Sequence, residues 1–228
     1  MNYIVIPAYQ PDNKLIKLIE KIHEKSDFHI LVIDDGSSSE CQKIFDKAKQ
    51  FAIVIRHQVN QGKGQALKTA FTYIQEQNIY GTVVTADADG QHKVWDIFRT
   101  ANKASENPNK LILGVRAFSG KVPLRSRFGN SLTKALFKLQ TGVGVTDTQT
   151  GLRAFTTNLI PFMLKIEGQR YEYEMNMLLE ATKEYEILEV PIETVYINDN
   201  EASHFRPIQD GLMIYKNIFK FALSSLSS

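Results

Sequence analysis

Residues 85 to 91 read Thr-Ala-Asp-Ala-Asp-Gly-Gln, directly after the apolar run GTVV. Two carboxylates this close at the end of a buried strand repel each other unless a cation holds them or water surrounds them. A calcium loop of the EF-hand type needs a glutamate at its twelfth position, where Phe98 stands. An oxygen-donor site with few protein ligands is what remains. Magnesium or manganese binds in that way when substrate phosphates complete the shell. Asp87 and Asp89 point to one side if the strand continues, because side chains alternate along it. A solvated turn is the plainer alternative.

Three further stretches carry chemistry after apolar runs: PAYQP (7 to 11), DDGSSS (34 to 39) and NQGKGQALKTA (60 to 70). In the second, Asp34 and Asp35 stand before Ser37 and Ser38, either of which is a suitable helix N-cap. The third places glycines around Lys63 at a helix start, where close backbone approach, a positive dipole end and an ammonium suit an anion. Neither familiar phosphate motif fits, since Leu67 stands where a P-loop or a dinucleotide fingerprint needs glycine. Further on, RAFSGKVPLRSRFGN (116 to 130) brings Arg116, Arg125 and Arg127 into one segment. Guanidinium forks match phosphate geometry, and solvated surface charge is the alternative.

Something must position these residues, and the first 115 supply it. Runs at 3 to 6, 29 to 33, 52 to 55, 82 to 85 and 111 to 115 read as buried strands. Helical patterns fall between them: Leu15, Leu18, Ile19 and Ile22 after an Asp12 N-cap; Ile44, Phe45 and Ala48; Ala66, Ala70, Phe71 and Ile74; Val94, Ile97, Phe98 and Ala101. Strict alternation predicts an α/β fold with a mainly parallel sheet covered on both faces and ligands beyond the carboxyl ends of its strands. Beyond residue 116 a helix is expected around SLTKALFKL and another from YEYEMNMLLEA (171 to 181). A polar stretch (141 to 155) lies between them, and a strand near 186 to 197 follows.

Of the 228 residues, 43% are apolar and 23% charged, and the net charge is only +2, which gives no global field for nucleic acid. A single cysteine, Cys41, excludes an internal disulfide and reads as a small residue on a helix. The opening MNYIVIPAY has no signal-peptide pattern, so a cytoplasmic protein is expected. No apolar run reaches the roughly 18 to 20 residues that span a bilayer. The C-terminal LMIYKNIFKFALSSL is instead amphipathic, either a core-packing helix or one lying on an anionic membrane surface. Trp95 and the histidines other than His204 read as packing or surface; His204, in ASHFRP, is a structural histidine or a diphosphate contact.

Taken in order, PAYQP, DDGS, NQGKGQA and DADGQ resemble the family 2 glycosyltransferases with a GT-A fold, a Rossmann-like three-layer α/β/α sandwich. RAFSGKVPLRSRFGN, DTQTGLRAF, YEYEMNMLLEA and ASHFRPIQDGLMIY are similar to the polyprenyl-phosphate sugar transferases, the group that includes dolichyl-phosphate mannose synthase. The resemblance covers almost the whole chain. It implies one glycosyltransferase domain over 1 to 228. Within it, 1 to 115 form the nucleotide-sugar-binding half, 116 to 206 the acceptor-binding half and 207 to 228 a C-terminal amphipathic helix.

The resemblance also implies roles. Pro7, Ala8, Tyr9, Asp34, Asp35, Lys63, Asp87 and Ala88 would bind the nucleotide sugar, and Asp87, Asp89, Gln91 and Glu174 a Mg2+ or Mn2+ ion. Arg116, Arg125, Arg127 and Ser131 would meet the acceptor phosphate, while Gln149, Arg153 and Glu172 belong to the sugar and acceptor motif. Asp89, Arg116, Arg127 and Asp147 would be catalytic. Glu172 and Glu174 are equally readable as favourable charges in a first helical turn.

The implied reaction is inverting, metal-dependent transfer of a hexosyl group from a nucleotide sugar to the phosphate of an undecaprenyl or dolichyl lipid. The donor is a UDP-sugar such as UDP-glucose, or GDP-mannose. Transfer to a sugar hydroxyl in cell-surface polysaccharide synthesis, and a non-catalytic nucleotide-binding protein, are the alternatives. The implied partners are the nucleotide sugar, the lipid, the cytoplasmic face of the membrane and a separate membrane protein as anchor. Two departures stand out: many relatives have glutamate near Gln10, and many continue into membrane helices where this sequence ends at Ser228.

Overall fold

The computed structural model describes residues 1 to 116 and 124 to 193, and within these the side chains of 124 to 132 are left undescribed. Among the described residues, seven strands form one sheet: β1 (Tyr3–Ala8), β2 (His29–Asp34), β3 (Ile53–Arg56), β4 (Thr82–Thr85), β5 (Lys110–Arg116), β6 (Arg153–Thr156) and β7 (Glu186–Ile192). Their order is β3-β2-β1-β4-β6-β5-β7. All neighbouring pairs run parallel except those of β6, which is antiparallel to both β4 and β5.

Alternation along the strands divides the core into two layers. Val5, Leu31, Ile33 and Val83 face one way and pack with Ala66, Phe71 and Ile74 of α3 (Lys63–Glu76), Met163 of α6 (Ile160–Lys165) and Leu178 of α7 (Glu172–Glu184). Ile4, Ile6, Val32 and Val84 face the other way, against α1 (Asn13–His23), α2 (Gln42–Ala48) and α4 (Val94–Glu106). The three layers are those of the α/β/α sandwich expected. Phe71 meets Phe155 edge-on, centroids 5.3 Å apart, which ties α3 to β6.

Asp12 caps α1 as expected, its Oδ1 accepting from the Lys14 amide at 2.7 Å. Neither Ser37 nor Ser38 caps a helix through its side chain. Ser38 precedes a short 3-10 turn (Ser39–Cys41), and its hydroxyl instead donates to Gln10 Oε1 at 3.0 Å. Cys41 is buried in that turn, its thiol also facing Gln10. Helix α5 (Leu124–Thr141) begins a full turn and more before the expected SLTKALFKL. Strand β6 was not expected at all: it lies within a stretch read as polar, and at four residues it offers too little alternation to be recognised. The part of the expected last strand beyond Glu193, His204 and the expected C-terminal amphipathic segment lie outside the described residues.

The start of α3 is pressed against the start of α7. A Cβ on Gly64 would stand 2.5 Å from Tyr173 Cβ and 2.9 Å from the Arg170 carbonyl oxygen. Gly64→Ala should therefore destabilise the fold by about 1–3 kcal/mol, the usual range for overpacking a tight site. Gly144→Ala, with nothing within 4 Å of the added methyl group, should leave the denaturation midpoint within about 0.5 kcal/mol of the parent. Equal midpoints for the two variants would show that this helix contact carries no strain.

Candidate active site

The sequence-derived residues lie at one end of the sheet. Pro7 and Ala8 end β1 with the exposed Tyr9 beyond, Asp34 ends β2, Lys63 opens α3, Asp87 to Asp89 follow β4, and Arg116 ends β5. Because β6 is antiparallel, its first residue, Arg153, lies at this same end, paired with Thr85.

Asp34 and Asp35 shape the loops around them. Asp34 accepts from the Ser37 amide at 2.8 Å and lies 3.3 Å from Arg56 Nε. Asp35 Oδ1 accepts from the Gln61 amide at 2.9 Å and faces His57 Nδ1 at 2.8 Å, while Oδ2 accepts from the Gly62 amide at 2.8 Å. His57 Nε2 in turn meets Thr69 Oγ1 at 2.9 Å. Asp35 thus holds the glycine turn that presents Lys63, with both oxygens engaged. Gln10 supports the same wall from the loop after β1, at a left-handed φ of 49°, with its backbone amide donating to Ser37 Oγ at 2.9 Å.

Lys63 is the centre of the charge cluster. Its Nζ lies 2.7 Å from Asp87 Oδ1 and 2.9 Å from Glu174 Oε2. Burial would push the ammonium down, but the pull of Asp87 and then Glu174 outweighs it and holds the group above the ordinary lysine range. Burial likewise pushes the Asp87 carboxyl up, yet Lys63 and His92 hold it well below the usual carboxylate range. His92 Nε2 lies 3.3 Å from Asp87 Oδ2. Asp89 shifts the other way: burial, and next the charge of Asp87, raises it. Its Oδ1 accepts from the Gln91 amide at 2.9 Å.

Asp87 and Asp89 do not share a face by strand alternation. The ladder ends with the Ala86 amide donating to Val5 O, and the chain then turns through Gly90 at φ 73°. The DTQTG loop packs directly on this turn. A Cβ on Gly151 would come within 2.4 and 2.7 Å of the two Asp87 oxygens, so only glycine leaves room for the carboxylate. Thr85 Oγ1 donates to the Gly151 carbonyl at 2.7 Å and Thr150 Oγ1 to that of Gly114 at 2.6 Å, seating the loop between β4 and β5.

The residues expected to face the acceptor form a second pair. Arg116 grips Asp147 with two hydrogen bonds, 2.6 Å from Nε and 3.0 Å from Nη2, and Asp147 is fully buried. The exposed Gln149 contributes its amide to Asp147 Oδ1 at 3.1 Å. Arg153 is buried, donating through Nε to the Thr150 carbonyl and through Nη1 to the Glu174 carbonyl, and burial lowers its guanidinium. Glu172 is turned away from the cluster: its Oε1 accepts from the Gln169 and Arg170 amides at 3.0 and 3.1 Å, which makes it a clasp on the loop before α7. Arg125, Arg127 and Ser131 lie on α5 with side chains outside the described residues.

The histidines read as packing or surface include two site residues, His57 and His92, both buried and facing carboxylates. His57 directly follows β3, so the strand-end rule could have found it. Gly151 carries no such signal, because its partner Asp87 is distant in sequence. Trp95 is a surface residue, 71% exposed.

The donor set suits a hard divalent cation. Asp89 is a carboxylate that burial and a like charge destabilise, which a bound cation would relieve, and the neighbouring Asp87 is also an oxygen donor. Among the described residues no three His, Cys, Asp or Glu groups form a ready cage, so a ligand's oxygens would have to complete the shell. Gln91 and Glu174 border the carboxylates, Glu174 with its Oε2 on Lys63.

Residues 3–163 match the model of the glycosyl transferase family 2. The chain is 29% identical over 215 residues to the UDP-N-acetylglucosamine–dolichyl-phosphate N-acetylglucosaminyltransferase of Methanococcus voltae, covering 85% of each chain. It is 23% identical to the polyprenol monophosphomannose synthase of Mycolicibacterium smegmatis, over 83% of this chain and 75% of that one. In fold it is similar to glucosyl-3-phosphoglycerate synthase from Mycobacterium tuberculosis, solved with Mn2+, UDP and phosphoglyceric acid. That likeness has a TM-score of 0.71 at 17% identity and covers 98% of this chain and 78% of that one. The carboxylate turn after β4, the glycine turn clamped by Asp35 and the family match from β1 into α6 lead to one conclusion: the chain belongs to glycosyl transferase family 2 and is a glycosyltransferase with a GT-A fold.

Proposed function

We propose that the protein catalyses inverting transfer of a hexosyl group from a nucleotide sugar to the phosphate of a polyprenyl lipid. The observation that carries this reading is the state of the carboxylates on the acceptor side. Asp147 is held bidentately by Arg116, and Glu174 has one oxygen on Lys63 and the other buried out of reach of an incoming hydroxyl. A hydroxyl acceptor needs a base within hydrogen-bond reach, and the lone pairs of Asp147 already face guanidinium protons. A lipid phosphate is an anionic nucleophile at neutral pH and needs no such base. The names of the relatives, a dolichyl-phosphate transferase and a polyprenol monophosphomannose synthase, support the same acceptor class.

In this reading Pro7, Ala8, Tyr9 and the loops shaped by Asp34 and Asp35 receive the nucleoside of a UDP-sugar such as UDP-glucose, or of GDP-mannose. Asp89, with Asp87 beside it and Gln91 bordering, would hold Mg2+ or Mn2+ together with oxygens of the diphosphate. The Mn2+ and UDP in the structure of similar fold favour this. When bound, such an ion acts as a Lewis acid on the departing diphosphate. Arg116, Arg125, Arg127 and Ser131 meet the acceptor phosphate, and Arg116 is oriented by Asp147. Arg153 and Gln149 border the sugar. The protein works as one domain at the cytoplasmic face of the membrane, reached through its C-terminal amphipathic segment or a separate membrane partner. Among the described residues no helix is long and apolar enough to cross a bilayer.

Incubation with polyprenyl phosphate and radiolabelled UDP-glucose, UDP-N-acetylglucosamine or GDP-mannose, each with Mn2+, should move label into an organic-extractable product with one donor. Label that enters only a water-soluble polysaccharide would favour the hydroxyl acceptor, and none with any donor would sink the lipid reading. Asp89→Ala should lower transfer by about 100-fold or more. Its thermal midpoint should match or exceed the parent's, because a carboxyl pushed up by folding destabilises the fold when ionised at neutral pH. Full turnover in that variant would remove the metal assignment. Gly151→Ala should displace the Asp87 carboxylate and lower transfer by about 100-fold, a loss expected from a shift of about 1 Å at reacting groups.

A further inference from the structure

The anion-binding lysine expected at the start of α3 faces away from that task, since its ammonium bridges Asp87 and Glu174. Its position is built. Asp35 clamps the Gln61 and Gly62 amides, the Gln65 amide donates to the Gln169 carbonyl at 2.8 Å, and Gly62 and Gly64 allow close approach to Gln169, Arg170 and Tyr173. With the backbone held on three sides, the Lys63 side chain spans the gap between the carboxylate turn and α7. The buried Glu174 Oε1 finds no hydrogen-bond partner among the described residues.

We propose that Lys63 is a positioning residue that serves as the resident counter-ion of the metal site, so that a divalent cation enters only together with the nucleotide diphosphate. A divalent ion arriving alone meets an Asp87 whose Oδ1 is engaged by the ammonium and whose Oδ2 faces His92. Asp89 alone is a weak site for a hard ion that needs several oxygens. A nucleoside diphosphate supplies those oxygens and the missing negative charge, so the ion and nucleotide bind as a pair. Lys63 also keeps Asp87 and Glu174 from repelling each other while the donor is absent, holding the carboxylate turn ready.

The inference rests on the metal site proposed above, and its test needs neither sugar donor nor acceptor. Binding of Mn2+ alone, followed by the electron paramagnetic resonance signal of the free ion, should be weak for the parent and strengthen when UDP or GDP is added. In Lys63→Met, Mn2+ alone should bind about tenfold or more tightly, since no charge-assisted hydrogen bond has to be displaced. Lys63→Arg, which keeps the charge, should bind Mn2+ alone as weakly as the parent. If Lys63→Met folds only when Mn2+ is added, that too supports the proposal; if it stays unfolded at saturating Mn2+, the proposal fails. Unchanged metal-alone binding in Lys63→Met, with weakened nucleotide binding, would make Lys63 a phosphate ligand and overturn the inference alone. A parent that binds no Mn2+ even with UDP and GDP would overturn the metal site and the inference together.

Discussion

The buried carboxylate of Asp35 is the contact on which the rest of the site depends. Removing a carboxylate from water is unfavourable unless hydrogen-bond donors replace the lost hydration. Here two backbone amides and His57 do so, and the donors lie at both ends of the approach to α3, His57 just after β3 and Gln61 and Gly62 just before the helix. His57 carries the constraint to Thr69 on the helix itself. Satisfying one buried charge therefore fixes where the glycine turn runs. That in turn fixes where Lys63 begins and how far it must reach to Asp87 and Glu174.

A second constraint comes from the strand that breaks the parallel pattern. Strand β6 lies between β4 and β5, so the chain leading into it passes over the carboxyl end of β4. This is how Gly151 comes to rest on Asp87 and how Arg153 comes to underlie Glu174. In a wholly parallel sheet the first residue of that strand would lie at the opposite end. The carboxylate turn and the DTQTG loop are therefore in direct van der Waals contact, and a change in one is felt by the other.

Much of this was legible in the sequence because it is local. The β-branched runs mark five of the seven described strands closely, and a sixth, β7, in part; burial on both faces selects such residues in β1, β2, β4 and β5, whereas β3, expected to be buried, is an edge strand with Ile53 and Arg56 exposed. The chemistry-bearing residues fall just past strand ends, where side chains need no longer serve the core. What was not legible depends on distant partners. Glu172 and Glu174 are separated by a single residue, yet one clasps the amides of its own loop and the other reaches Lys63. Their helical phase decides this, and the sequence pattern around them is compatible with either facing inward. The roles of Gly151 and Lys63 likewise follow from strand order, which periodicity does not encode.

The sheet order also bears on when the site can form. Strand β1 pairs with β4, and β4 waits for β6, so the central ladder is closed by residues widely separated along the chain. Such non-local pairing is slow, because loop closure must precede the contacts that reward it. On a ribosome, the cover of Asp87 and its bridge to Glu174 emerge only after residues 151 and 174 have been made. A nascent chain shorter than this has its acidic turn with Lys63 and His92 as counter-charges, but neither the Gly151 cover nor the second carboxylate that fixes the ammonium, so the cluster is completed only late in synthesis.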